Sequence, residues 1–162
     1  MTEAEAVFTT VSSMMFANGA VLAVVSRDLP VPLRSAAMYW QLGTILIALG
    51  CAVFAFGTPL SRPIMLLGGN CPMVLGLTAY HAAVQKFDGI RPGGRQLLPT
   101  VLAIACVVWF SIVTPDFRMR VAVVSAIWAW LMFACIVTLL GNSRGDTSLS
   151  RKILIGIFAV VM

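Results

Sequence analysis

The sequence predicts an all-α integral membrane protein, an antiparallel bundle of five transmembrane helices plus a truncated sixth. Three observations predict it. Only 10% of the 162 residues are charged, against about 25% in soluble domains. The charges are clustered, leaving charge-free windows at residues 6–26, 35–61, 63–85, 96–115 and 121–143. Each window holds at least 20 residues, and roughly 20 residues rising 1.5 Å each cross a hydrocarbon core of about 30 Å. Short polar connections then alternate the spans up and down.

The helices are expected at about 6–26, 37–56, 63–86, 97–113, 120–140 and 153–162, forming one transmembrane domain over 1–162. The first begins after "MTEAEA", which is acidic and carries no Lys or Arg. A secretory signal would open with a basic region, so this stretch reads as a spanning helix. The second opens with Tyr39 and Trp40, whose amphipathic rings suit the membrane interface. The third contains "LLGGNCPMVLGL" (66–77), where Gly68, Pro72 and Gly76 fall at i, i+4 and i+8 on one face. That spacing predicts a small-residue groove for a neighbouring backbone. Pro72 cannot donate to the Gly68 carbonyl, which predicts a bend. Asn70 lies about 200° around the helix from the groove and is expected to address another neighbour. In the fifth span, Trp128 and Trp130 lie near the middle, where an indole N–H needs an acceptor or lines a cavity.

The last apolar run, Ile153–Met162, has ten residues, which reach about 15 Å as a helix. It reads as a sixth span cut short, so the chain is expected to be a piece of a longer protein. The alternative is a natural end in a re-entrant or interfacial helix.

Basic residues orient the bundle. Arg27, Arg34, Lys86, Arg91, Arg95, Arg144, Arg151 and Lys152 share one side, and Arg62, Arg118 and Arg120 the other. Eight against three puts the N-terminus outside and the odd-numbered loops in the cytoplasm. The net charge of +5 then follows from topology and calls for no nucleic-acid partner. No internal repeat of the kind used by many transporters is evident.

Chemistry-bearing groups are sparse. Glu3, Glu5, Asp28, Asp88, Asp116 and Asp146 all lie in ends or loops, whereas proton-coupled carriers usually bury an ionisable group. The lone histidine, His81, lacks partners for a metal cage or a catalytic triad. Cys51, Cys71, Cys106 and Cys135 sit on four different spans without metal-type spacing and read as small packing residues. Catalytic residues, metal and cofactor are therefore all expected to be none. The polar residues inside spans are Ser12, Ser13, Asn18, Gln41, Thr44, Asn70 and Ser125. They serve as hydrogen-bonding glue between helices or line a pocket for a small ligand.

Four stretches carry a resemblance. They are "MMFANGAVLAVVSRD", "MYWQLGTILIALGCAVFAF", "LLGGNCPMVLGLTAYHAAVQKFDGIRP" and "TPDFRMRVAVVSAIWAWLMFACIVTLL". Together the chain resembles the multi-helix N-terminal membrane sensor regions of bacterial diguanylate cyclases, which end in a cytoplasmic GGDEF domain. Asn18, Asn70, and Arg120 followed by Ser125 match its pattern. The resemblance implies a multi-pass sensor or anchor in the bacterial inner membrane, with the lipid bilayer and a second copy of the chain as partners. It implies regulation of cyclic di-GMP synthesis by an attached cyclase. With the N-terminus outside and the sixth helix starting inside, a seventh span would precede that domain. The ligand and helix-contact candidates are Asn18, Asn70, Pro72, Arg120, Ser125 and Trp128. A small transporter or channel subunit, or the membrane region of a sensor histidine kinase, remain open alternatives.

Overall fold

The computed structural model describes residues 2–57, 59–94, 97–141, 153, 155 and 156. The expected sixth helix, 153–162, thus lies largely outside the described residues. Five helices form, with no strand among the described residues: α1 (Glu3–Val25), α2 (Val31–Phe56), α3 (Arg62–Phe87), α4 (Leu97–Val108) and α5 (Phe117–Gly141). A π-helical turn, Trp109–Val113, continues α4. Of these, α1, α2, α3 and α5 are long and apolar enough to cross a membrane. The stretch Leu97–Val113 has 17 residues and rises about 25 Å, somewhat less than a hydrocarbon core.

Helices α1, α2, α3 and α5 start before their charge-free windows because charged side chains fit helix ends. Thr2 and Glu5 form a capping box, satisfying two otherwise orphaned N–H groups and starting α1 at Glu3. The Pro30 carbonyl accepts from Leu33 and Arg34 N–H, so α2 begins at Val31 rather than near residue 37. At the end of α3, Gly89 takes φ +74° and Ile90 N–H returns to the Gln85 carbonyl. A left-handed glycine here lets the chain leave the helix without a Cβ clash. Asp116 Oδ1 accepts from Arg118 and Met119 N–H and so caps α5.

Helix α3 is the hub. It packs most extensively against α2 and also touches α4 and α5, while α1 leans on α2. The α2–α3 contact is built on glycine. A Cβ on Gly43 would sit 2.7 Å from the Gly76 carbonyl oxygen, and one on Gly76 would sit 2.8 Å from that of Gly43. Seven residues along, a Cβ on Gly50 would sit 2.6 Å from the Gly69 carbonyl oxygen, while Gly69 lies against the Phe54 ring. The close-contact face is therefore Gly69 and Gly76, not the expected Gly68–Pro72–Gly76 line. Gly68 has a looser neighbour, Val53 at 3.3 Å, and Pro72 is half-buried. The 7-residue spacing of the contacts matches the two-turn repeat at which helices packed along their length meet.

A core of Ile47, Cys51, Leu77, Val84, Leu131, Met132, Cys135 and Leu139 joins α2, α3 and α5. On α1 the pattern is inverted relative to a soluble helix. Its buried residues are Ser12 and Gly19, while Val7, Met14, Val21 and Val24 are exposed. Lipid is as apolar as leucine, so small residues face the neighbouring helix and large ones face outward.

Gly76→Ala should cost about 1–3 kcal/mol through overpacking, read as an earlier unfolding midpoint in mixed detergent micelles. Gly19, whose Cβ would meet Ile45 at 3.6 Å, should accept Ala within about 0.5 kcal/mol. Equal losses at the two positions would mean that close packing is not what position 76 requires.

Candidate functional site

Two places concentrate polar groups inside the bundle. The first is a hydroxyl seam along α3. Thr44 Oγ1 lies 3.0 Å from its own Trp40 carbonyl and 3.0 Å from the Tyr80 hydroxyl. A threonine has one proton to give. With that proton on the Trp40 carbonyl, Tyr80 donates to Thr44. The Tyr80 ring occupies the space that a side chain at Gly43 would need and packs against Trp40 at 4.8 Å between centroids. On the other side of α3, Thr78 bonds the Val74 carbonyl at 2.9 Å and the Thr100 hydroxyl of α4 at 2.5 Å. By the same proton count, Thr100 donates to Thr78. One turn further, Gln85 Nε2 donates to His81 Nε2 at 3.3 Å, with both residues buried. The other ring nitrogen of His81 then carries the proton. Ser12 Oγ ties α1 to α2 through the Ala48 carbonyl at 2.9 Å. Sequence patterning picked out Ser12 and Thr44 but missed the Tyr80, Thr78 and Thr100 contacts, because their use depends on which helices become neighbours.

The second place is a cavity of about 340 Å³ at the end of the bundle that carries the N-terminus of α1. Helices α3 and α5 both begin at this end, since the chain alternates direction. Arg62, Ser111 and Arg120 contribute its polar groups, with Pro63, Leu66, Pro115 and Phe117 as apolar walls. Arg120 is only 7% exposed. Its guanidinium lies 5.6 Å from the Phe117 ring centroid, a favourable cation–π distance. Ser111, in the π-helical turn, is buried, and its hydroxyl has no hydrogen-bond partner among the described residues. A π-turn inserts an extra residue into a helix and is frequent at functional sites.

The sequence-derived candidates do not converge on one spot. Arg120 lines this cavity, whereas Asn18, Asn70, Ser125 and Trp128 do not. Asn70 is half-buried and donates to the Leu66 carbonyl of its own helix at 2.7 Å rather than to a neighbouring one. Asn18 and Ser125 are exposed on α1 and α5. Trp128 packs against the core, and its indole N–H is buried with no partner among the described residues. Arg62 and Ser111 were missed. The signal for Arg62 was available, because alternating topology puts the first turns of α3 and α5 at one end. A further cavity of about 350 Å³ lies at the opposite end, among Leu22, Leu33, Ala36, Trp40, Val84 and Leu139. Its lining is apolar, and an acyl chain or an apolar ligand matches it chemically.

A double-mutant cycle on Thr78→Val and Thr100→Val should return a coupling of about 0.6 kcal/mol, the usual size for an interhelical bond in a membrane. Unfolding in mixed micelles measures it, and a coupling of zero would remove the seam's contribution. The chain matches no family model, no curated protein and no solved structure.

Proposed function

We propose that this chain is the membrane sensor or anchor part of a signalling protein, and that it regulates a cytoplasmic diguanylate cyclase domain. In this reading Leu97–Val113 also spans, giving five helices plus the start of a sixth at 153, with the N-terminus outside in a bacterial inner membrane. The chain itself performs no catalysis. The observation that carries the reading is where the polar groups within the spans sit. The hydroxyls of Ser12, Thr44, Thr78, Tyr80 and Thr100 and the amides of Asn70 and Gln85 are bonded to each other, to His81 or to backbone. Asn18 and Ser125 instead face outward, where a partner helix meets them more readily than a transported solute. The link to cyclic di-GMP rests on the resemblance of the stretches around Asn18, Asn70, Arg120 and Ser125.

Asn18 lies on a stripe with Met14 and Val21, both 63% exposed. An amide presented to lipid is costly when unpaired, and pairing with the same residue of a second copy satisfies both. A shift of helices within the bundle would then change how two output domains face each other.

Asn18→Leu should weaken self-association in bilayers by about 0.6–2 kcal/mol, read by energy transfer between labelled copies. In the full-length protein, Asn70→Leu and Arg120→Ala should alter cyclase output. Unchanged output together with unchanged association would reject those sites. The gene downstream of Met162 decides the output class: a GGDEF domain supports the reading, and a kinase core or a stop codon overturns it. Solute flux in reconstituted liposomes would instead favour a transporter.

A further inference from the structure

We propose that the cavity between the first turns of α3 and α5 binds a phosphate group at the membrane surface, held by Arg120, Arg62 and the Ser111 hydroxyl. The inference rests on membrane embedding alone and is independent of any output domain. Arg120 is the one buried cation among the described residues. Its guanidinium has no hydrogen-bonding or ion-pairing side chain among those residues, and the Phe117 ring is the contact it makes. A guanidinium that packs on a ring and opens onto a cavity keeps its N–H donors for an occupant of that cavity. A planar guanidinium with five N–H donors is matched by an oxyanion, which accepts two parallel bonds.

Two more groups at the same cavity need the same thing. Ser111 has a buried hydroxyl without a partner among the described residues, and a hydroxyl can donate to a phosphate oxygen. Arg62 adds a second cation at the rim. The carboxylate nearest in sequence, Asp116, is committed through Oδ1 to the Arg118 and Met119 N–H groups. An oxyanion in the cavity can accept from the Arg120 and Arg62 guanidinium groups and from the Ser111 hydroxyl together.

Depth selects phosphate among oxyanions. Helix α3 has 26 residues and α5 has 25, so each rises about 38 Å and overshoots a hydrocarbon core of about 30 Å. The first turns of both helices, where Arg62 and Arg120 lie, fall in the headgroup layer. Lipid phosphates occupy that layer. The apolar walls at Leu66 and Phe117 suit the glycerol and upper acyl carbons attached to one. A free phosphate from the adjoining solution would use the same donors.

The test uses the 162-residue chain in a neutral maltoside detergent, titrated separately with phosphatidylglycerol, diacylglycerol, inorganic phosphate and succinate. Thermal shift and native mass spectrometry report binding. Phosphatidylglycerol should raise the midpoint and remain bound as a single copy. Arg120→Gln should weaken this about ten-fold or more, the loss expected for a charge-assisted bond. Arg62→Gln and Ser111→Ala should each weaken it several-fold, and they carry the test if the Arg120 variant does not fold. Binding of phosphatidylglycerol without inorganic phosphate assigns the site to a headgroup, and the reverse assigns it to the free anion. Diacylglycerol or succinate binding as tightly as the phosphate probes overturns the proposal. So does binding that is unchanged in the Arg62 and Ser111 variants.

Discussion

The close approach of α2 and α3 at Gly43–Gly76 and Gly50–Gly69 sets the rest of the bundle. In lipid no hydrophobic effect pushes two helices together, so packing and hydrogen bonds must hold them. Removing two side chains at each contact lets the backbones approach until Gly43 and Gly76 lie against each other's carbonyl and Gly50 lies against that of Gly69. Weak Cα–H···O contacts become available at that separation. The approach also frees the volume that the Tyr80 ring fills, and it brings the Tyr80 hydroxyl to Thr44. With α2 fixed on one side of α3, α4 and α5 take the remaining faces, and α1 rests on the back of α2. A side chain added at position 43 or 76 would therefore disturb the polar seam as well as the packing.

Polarity inside this bundle is distributed as a membrane demands. Small residues and hydroxyls line the α1–α2 and α2–α3 contacts, leucine and methionine fill the core shared with α5, and further valine, methionine and leucine cover the outer surface. Thr44 and Thr78 each donate to a carbonyl of their own helix and accept from a hydroxyl of a neighbouring one. That arrangement costs the helix little, since the backbone carbonyl has a spare lone pair. It yields an interhelical bond whose direction is set. Such a seam glues helices together and offers a solute no free donors.

The sequence made the four long apolar helices legible because charge avoidance is a bulk property of each segment and needs no knowledge of neighbours. It did not show which face of α3 meets α2. Gly68 and Gly69 are adjacent, both faces carry small residues, and only the partner's glycines at 43 and 50 decide between them. Asn70 presented a similar ambiguity. Its distance around the helix from the groove suggested a second neighbour, yet a half-buried amide found its nearest acceptor one turn back, on Leu66. Arg120 was legible as a charge at the edge of a span, and the resemblance made it a site candidate, but its burial was not legible. Its burial depends on the turn at Pro115 and on the π-helical widening around Ser111, and neither leaves a periodic signature.

The two ends of the bundle consequently differ in chemistry. At the opposite end from Arg120, described basic residues such as Arg27, Arg34 and Arg91 are exposed, so water and lipid headgroups screen them, and the cavity beside them is apolar. At the Arg120 end, the first turns of α3 and α5 point toward the same cavity, and helix starts carry partial positive charge. The cation–π contact with Phe117 is worth about 0.5–2 kcal/mol and leaves the guanidinium N–H donors facing the cavity. Asp116 offsets part of the α5 dipole by capping it. The remaining balance is positive. The bundle pairs the hydroxyls of its α2–α3–α4 seam, yet a guanidinium and an unpartnered serine hydroxyl line one cavity. That place lies at the depth where the bilayer carries its own anions.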